Sequence, residues 1–170
     1  TAQAKYGSAS MFFRHGGTSF GIMSAFQDFT GVFTASDIVS ASVWVMPTVL
    51  PAGQKVRLRL TYKNSGGTIV GSSTLIGTAQ GTAFSQLVIQ NDSVPAAAGT
   101  GTLRVGIELE RDGSAGTGTA FFDAAGLWKA AAVPVAWISG RDVANHEDDA
   151  GQAHINWLDL RDLPGDVPAL

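Results

Sequence analysis

The chain has 170 residues, 45% of them hydrophobic and 15% charged, with 21 glycines and no cysteine. This length supports one main domain plus an appendage and buries about two-thirds of the unfolded surface, so a core forms without covalent staples. The missing cysteine excludes disulfides, thiol nucleophiles and thiolate-bound metals, and a net charge of -3 offers no concentrated basic surface for nucleic acid.

Alternating apolar and polar side chains predict strands at Ser8 to Arg14, Phe20 to Phe26, Ile38 to Met46 and Val56 to Lys63. Four more follow at Thr68 to Leu75, Phe84 to Gln90, Leu103 to Glu110 and Thr119 to Trp128. The turns between them are Gly16-Gly17, Pro51 to Gly53, Asn64 to Gly67, Asn91-Asp92 and Asp112-Gly113, of which Asn64 to Gly67 reads as a hairpin loop. The clearest alternation is in the seventh strand, where Leu103, Val105, Ile107 and Leu109 point one way and Arg104, Glu108 and Glu110 the other. No helical period exceeds a turn or two. The expectation is an all-β chain, an antiparallel β-sandwich over residues 1–133 with a C-terminal extension over 134–170.

Several segments also carry a resemblance. Lys5 to Ser10, then Ile38 to Val45 with Met46 and Pro47, then Val56 to Tyr62, and finally Gly118 to Leu127 follow one another as in a known family. They resemble the jelly-roll carbohydrate-binding modules of the galactose-binding-like superfamily, over roughly residues 4 to 130, and this resemblance implies an antiparallel jelly-roll β-sandwich. The resemblance implies a structural calcium at the closing-strand acid, which Asp123 matches, although the second acid of the pair is Ala124 here and no opening strand precedes Lys5. A calcium ion takes six to eight oxygens; the other reading of Asp123 is a carboxylate that fixes a turn or the neighbouring backbone.

The resemblance also implies sugar binding by exposed aromatics flanked by amides and charges. The candidates are Trp44, Tyr62, Trp128, Arg57, Arg59, Gln86 and Gln90. Ser42, Trp44 and Met46 share one side of their strand, so Trp44 either lines a cleft or fills core; Arg57 and Arg59 alternate with Val56, Leu58 and Leu60 and are expected on a solvated face.

Signs of catalysis are absent from the sequence. His15, His146 and His154 fall in no metalloprotease helix, and there is no nucleophile elbow or phosphate-cradling glycine loop. Glu108 and Glu110 share one strand face, which does not let them flank a glycosidic bond; a hydrated face with Arg104 or Arg111 nearby is the expectation. The chain is not expected to be an enzyme.

The tail changes composition at Ala130 to Pro134, concentrates charge over Arg141 to Asp149, and then turns apolar. His146, Glu147, Asp148, Asp149 and His154 have the atom types for a divalent metal, with a solvated acidic loop as the alternative. Ile155, Trp157, Leu158, Leu160, Leu163 and Val167 form an apolar arm that must dock on its own sandwich, a following module or a neighbouring subunit. No apolar run approaches the roughly 18 residues of a membrane span. The start at Thr1, with no initiator Met and no signal-like h-region, leaves a processed chain or an excised fragment as expectations.

Two roles follow as expectations. The first is a structural module of an extracellular filament, surface layer or virion appendage such as a tail fibre, joined head to tail by strand addition from the arm. The second is a carbohydrate-binding module that tethers a larger protein or particle to glycans; a glycoside hydrolase remnant is a third and weaker class. The partners expected are copies of the chain, adjacent modules or glycans, with no nucleic acid and no membrane.

Overall fold

The computed structural model describes residues 10–17, 19–113, 116–133 and 154–156, the last three through their backbone alone. Nine strands are found there: β1 (Met11–His15), β2 (Phe20–Thr30), β3 (Ile38–Val49), β4 (Lys55–Lys63), β5 (Ile69–Gly77), β6 (Ser85–Ser93), β7 (Thr102–Asp112), β8 (Gly118–Trp128) and β9 (His154–Asn156). One turn of 3-10 helix at Ala96–Ala98 is the sole helical element among the described residues. None is long and apolar enough to cross a membrane.

The strands form two antiparallel sheets. One runs β1-β8-β3-β6, with β9 also on β8, and the other β2-β7-β4-β5. Pairs β4–β5, β3–β6, β2–β7 and β1–β8 nest like one long hairpin folded over itself, and β3–β8 and β4–β7 contacts stitch the folded layers. This is the antiparallel sandwich that the alternation predicts, with the jelly-roll pairing that the resemblance implies. At the tip of the nested hairpin, Asn64 Oδ1 accepts the amides of Gly66 and Thr68, both at 3.0 Å, and Gly67 takes φ 82°, where glycine has no steric penalty.

The core lies between the sheets and is built chiefly by alternate residues of β3, β4, β7 and β8. Val56, Leu58, Leu60 and Tyr62 of β4 and Leu103, Val105, Ile107 and Leu109 of β7 meet Val39, Ala41, Val43 and Val45 of β3 and Phe122 of β8. Arg111 continues the inward row of β7 and is fully buried.

Two strands break their alternation. Asn91 adopts φ 53° inside β6, so Asn91-Asp92 is a kink within the strand and not the turn expected at its end. In β8, Ala124 adopts φ 48°, and the extra residue shifts the inward side from Ala120 and Phe122 to Ala125 and Leu127. The short β9 pairs antiparallel with Gly126–Trp128, on the β8 edge that β1 occupies lower down at Gly118–Phe122. The edge of that sheet is therefore filled by two segments from opposite ends of the chain.

Candidate functional site

The outer face of the four-stranded sheet carries a shallow open depression of about 220 Å³. Its floor is a consequence of one residue. β7 is an interior strand, and the outward position between Arg104 and Glu108 is Gly106, paired with Phe26 on β2 and Arg59 on β4. With no side chain there, the centre of the face is low, and its neighbours form walls. The backbone is not what demands glycine: a Cβ at this position would lie 3.9 Å from the carbonyl oxygens of Ala25 and Arg59 and 4.0 Å from Phe26 Cβ, ordinary contact distances.

Phe26 forms one wall and is 52% exposed. The Arg104 guanidinium lies 3.6 Å from its ring centroid and is held there by Asp28, which accepts Nε at 2.6 Å and Nη2 at 2.8 Å. These hydrogen bonds hold the Asp28 carboxyl below the usual carboxylate range and push Arg104 up; burial opposes both shifts more weakly. The opposite wall is Arg59, Thr61 and Lys63 on β4, with Ser72 and Ile69 beyond them on β5. An aromatic ring, hydroxyls, guanidinium groups and an ammonium thus surround one low floor.

Glu108 and Glu110 lie at the other end of this face and are almost fully buried, not hydrated as expected. Their partners come from β4, not from Arg104 or Arg111. Lys55 reaches Glu110 at 3.0 Å, Arg57 bridges Glu110 and Glu108, and Arg59 approaches Glu108 at 3.5 Å. Arg57 is accordingly covered within this ladder and not freely solvated, whereas the Arg59 side chain is 37% exposed.

The sequence-derived glycan candidates do not assemble. Arg57 and Arg59 lie on the face just described. Tyr62 has the inward parity of Leu58 and Leu60, is 2% exposed, and donates its hydroxyl to Asp92 Oδ2 at 2.6 Å; burial, reinforced by Asp92, raises its pKa well above that of a free phenol. It is a core residue, not one that faces a glycan. Trp44 and Gln86 pair with each other on the outer face of the other sheet, where Gln86 Nε2 donates to Ser42 Oγ at 3.1 Å. Trp44 therefore neither fills the inter-sheet core nor lines the depression. Trp128 is buried and Gln90 is exposed on β6.

Phe26, Thr61, Lys63, Arg104 and Gly106 were not among the sequence candidates. A usable signal existed: Gly106 interrupts the outward positions of the best-alternating strand, and a glycine inside a strand marks close approach to the backbone.

Asp123 sits opposite Trp44, and its Oδ1 accepts the amide of Ala124 at 2.7 Å, fixing the bulge. Among the described residues no three His, Asp or Glu side chains gather as a metal site. The hydrogen bond to the neighbouring backbone is the turn-fixing alternative read for Asp123 from the sequence. His146, Glu147, Asp148 and Asp149 lie outside the described residues, as do Trp157, Leu158, Leu160, Leu163 and Val167; His154 and Ile155 are described through their backbone in β9.

No family model matches the sequence, and no curated protein matches it. Solved structures do match the fold. One, from work on the promiscuous specificity of carbohydrate-binding modules of the β-sandwich superfamily, is 12% identical with a TM-score of 0.54, covering 72% of this chain and 48% of that one. A second, TmCBM61 in complex with β-1,4-galactotriose, is 16% identical with a TM-score of 0.49, covering 73% of this chain and 72% of that one. A third, a family 16 carbohydrate-binding module, is 18% identical with a TM-score of 0.44, covering 73% and 79%. The chain spans about half the length of the first of these. What is shared with the first of these is the fold, a β-sandwich.

Proposed function

We propose that the chain is a non-catalytic carbohydrate-binding module and that its glycan lies across the outer face of β2, β7, β4 and β5. The observation that carries this reading is the low floor at Gly106 between half-exposed Phe26 and the polar row Arg59, Thr61 and Lys63. A sugar presents axial C–H groups to a ring and hydroxyls to charges, and this face offers both on a rigid sheet. The depression is open and smaller than the 300–1,000 Å³ of typical small-molecule pockets, which suits a chain lying along a surface better than a ligand enclosed for chemistry. The two buried glutamates are engaged by Lys55, Arg57 and Arg59 and share one strand, so they do not flank a bond. The carbohydrate-binding modules of the same fold support the reading through architecture alone.

The test is calorimetric titration with a panel of neutral and acidic oligosaccharides, followed by NMR mapping. Shifts confined to outward positions of β2, β4, β5 and β7 are expected. Trp44 and Trp128 lie in the other sheet and do not line this face. Binding that perturbs only the β1-β8-β3-β6 face, or the absence of binding across the panel, overturns the proposal.

A second role, assembly, is favoured by one observation. β9 belongs to the C-terminal arm and occupies the β8 edge beyond the end of β1. In the single chain this pairing is intramolecular; exchanged between copies, the same segment would join sandwiches head to tail. Either role suits an extracellular, cell-surface or virion setting. Sedimentation of the full chain against one ending at residue 133 tests the exchange: concentration-dependent growth lost on truncation is expected, and monomers throughout would remove it.

A further inference from the structure

We infer that the glycan bound on this face is anionic, carrying a uronate carboxylate or a sulfate ester, and that Arg59 and Lys63 receive the charge. The inference rests on the carbohydrate-binding reading above. It starts from a mismatch in charge. The chain as a whole carries -3, yet the residues lining the depression include three cations, Arg59, Lys63 and Arg104, against the single carboxylate Glu108.

Pairing accounts for only part of this excess. Arg104 is neutralised by Asp28 at 2.6 Å. Glu108 is shared between Arg57 at 3.6 Å and Arg59 at 3.5 Å, and Arg57 is also bound to Glu110. Lys63 makes no ion pair among the described residues, and Asp28, on which it acts only at longer range, is already claimed by both donors of Arg104. Two positive charges on the groove wall thus have half an acid between them.

The spacing fits one small anion. Arg59, Thr61 and Lys63 are alternate residues of one strand and point to the same side, so the two cations are about 13 Å apart at their backbones with the Thr61 hydroxyl midway. Both side chains are long enough to converge over Thr61. A carboxylate or sulfate there takes a guanidinium from one side, an ammonium from the other and a hydroxyl beneath, while its sugar ring lies over Gly106 against Phe26. A neutral sugar leaves Lys63 without an ion pair and Arg59 with only its share of Glu108.

The experiment compares trigalacturonate, its methyl ester, galactotriose and a sulfated galactotriose by calorimetry at low and moderate salt. At least tenfold tighter binding of trigalacturonate or of the sulfated trimer than of galactotriose is expected, with the methyl ester behaving as the neutral sugar. Which of the two anions binds tighter identifies the substituent. Lys63→Gln is expected to reduce the preference to within threefold, weakening the charged trimers far more than galactotriose. Arg14→Gln, which removes an equal charge from β1 in the other sheet, should leave the preference intact. Equal affinity for charged and neutral trimers, or equal effects of the two substitutions, overturns the anionic assignment and leaves glycan binding standing. Failure of all four sugars, together with the wider panel, overturns both.

Discussion

Replacing Phe26 by alanine removes the aromatic wall of the depression, and the effect follows from its exposure. A phenylalanine-sized ring buries about 150–250 Å² when fully covered, and 52% of this side chain is open. A sugar lying against it therefore covers on the order of 100 Å² of apolar surface, about 2–3 kcal/mol at about 25 cal/mol per Å². That corresponds to a loss of affinity of roughly 30- to 150-fold. The fold should barely notice. Phe26 contributes little to the core, and Arg104, deprived of the ring at 3.6 Å, stays bound to Asp28 by two hydrogen bonds; loss of an exposed cation–π contact is worth about 0.5–1 kcal/mol. The assay is calorimetric titration of the wild type and Phe26→Ala with the tightest-binding oligosaccharide of the panel, alongside thermal melts. Affinity within threefold of wild type, with an unchanged melting temperature, refutes the placement of the sugar on this ring.

The other predictions concern the groove floor and the stability of the sandwich. Gly106→Val should bind at least tenfold more weakly yet melt no lower than wild type, because its Cβ meets nothing closer than 3.9 Å and valine suits a strand better than glycine; titration and calorimetric melting check both halves. Leu58→Ala, at a fully buried position of β4, should destabilise by about 3–5 kcal/mol in urea unfolding. Tyr62→Phe removes the 2.6 Å bond to Asp92 and should cost about 1.5–3 kcal/mol at neutral pH. The folded Tyr62 pKa is raised, so its contribution is complete below the unfolded value near 10 and fades as pH rises above it. Melts from pH 8 to 11 should therefore show wild type converging on the variant. For Asp28, the folded pKa is lowered, so its contribution is present above the unfolded value of about 3.9 and lost as pH falls through the folded one. The small advantage of wild type over Asp28→Asn, under about 1 kcal/mol for so exposed a pair, should be constant from pH 5 to 8 and vanish below pH 4 in acid unfolding.

What the sequence by itself determined is eight of the nine described strands and the inward side of the regularly alternating ones. β4 and β7 alternate so regularly that Leu58, Leu60, Val105 and Ile107 admit one assignment, and Asn64 to Gly67 marks the hairpin tip. The same parity would have placed Tyr62 inward, yet the sequence reading took it as facing a glycan; a side-chain period of two leaves no choice once its neighbours are assigned. Only the tertiary structure decided which strands become neighbours. The nested pairing sets Phe26 beside Gly106 although they are 80 positions apart, and it puts Trp44 on the opposite outer face from Arg59. Alternation within a strand fixes in or out; it carries no information about which of two sheets the strand joins, and a binding face is made of outward residues from strands brought side by side. The bulge at Ala124 and the shared edge of β1 and β9 are likewise products of packing, since each depends on a partner strand and not on local pattern.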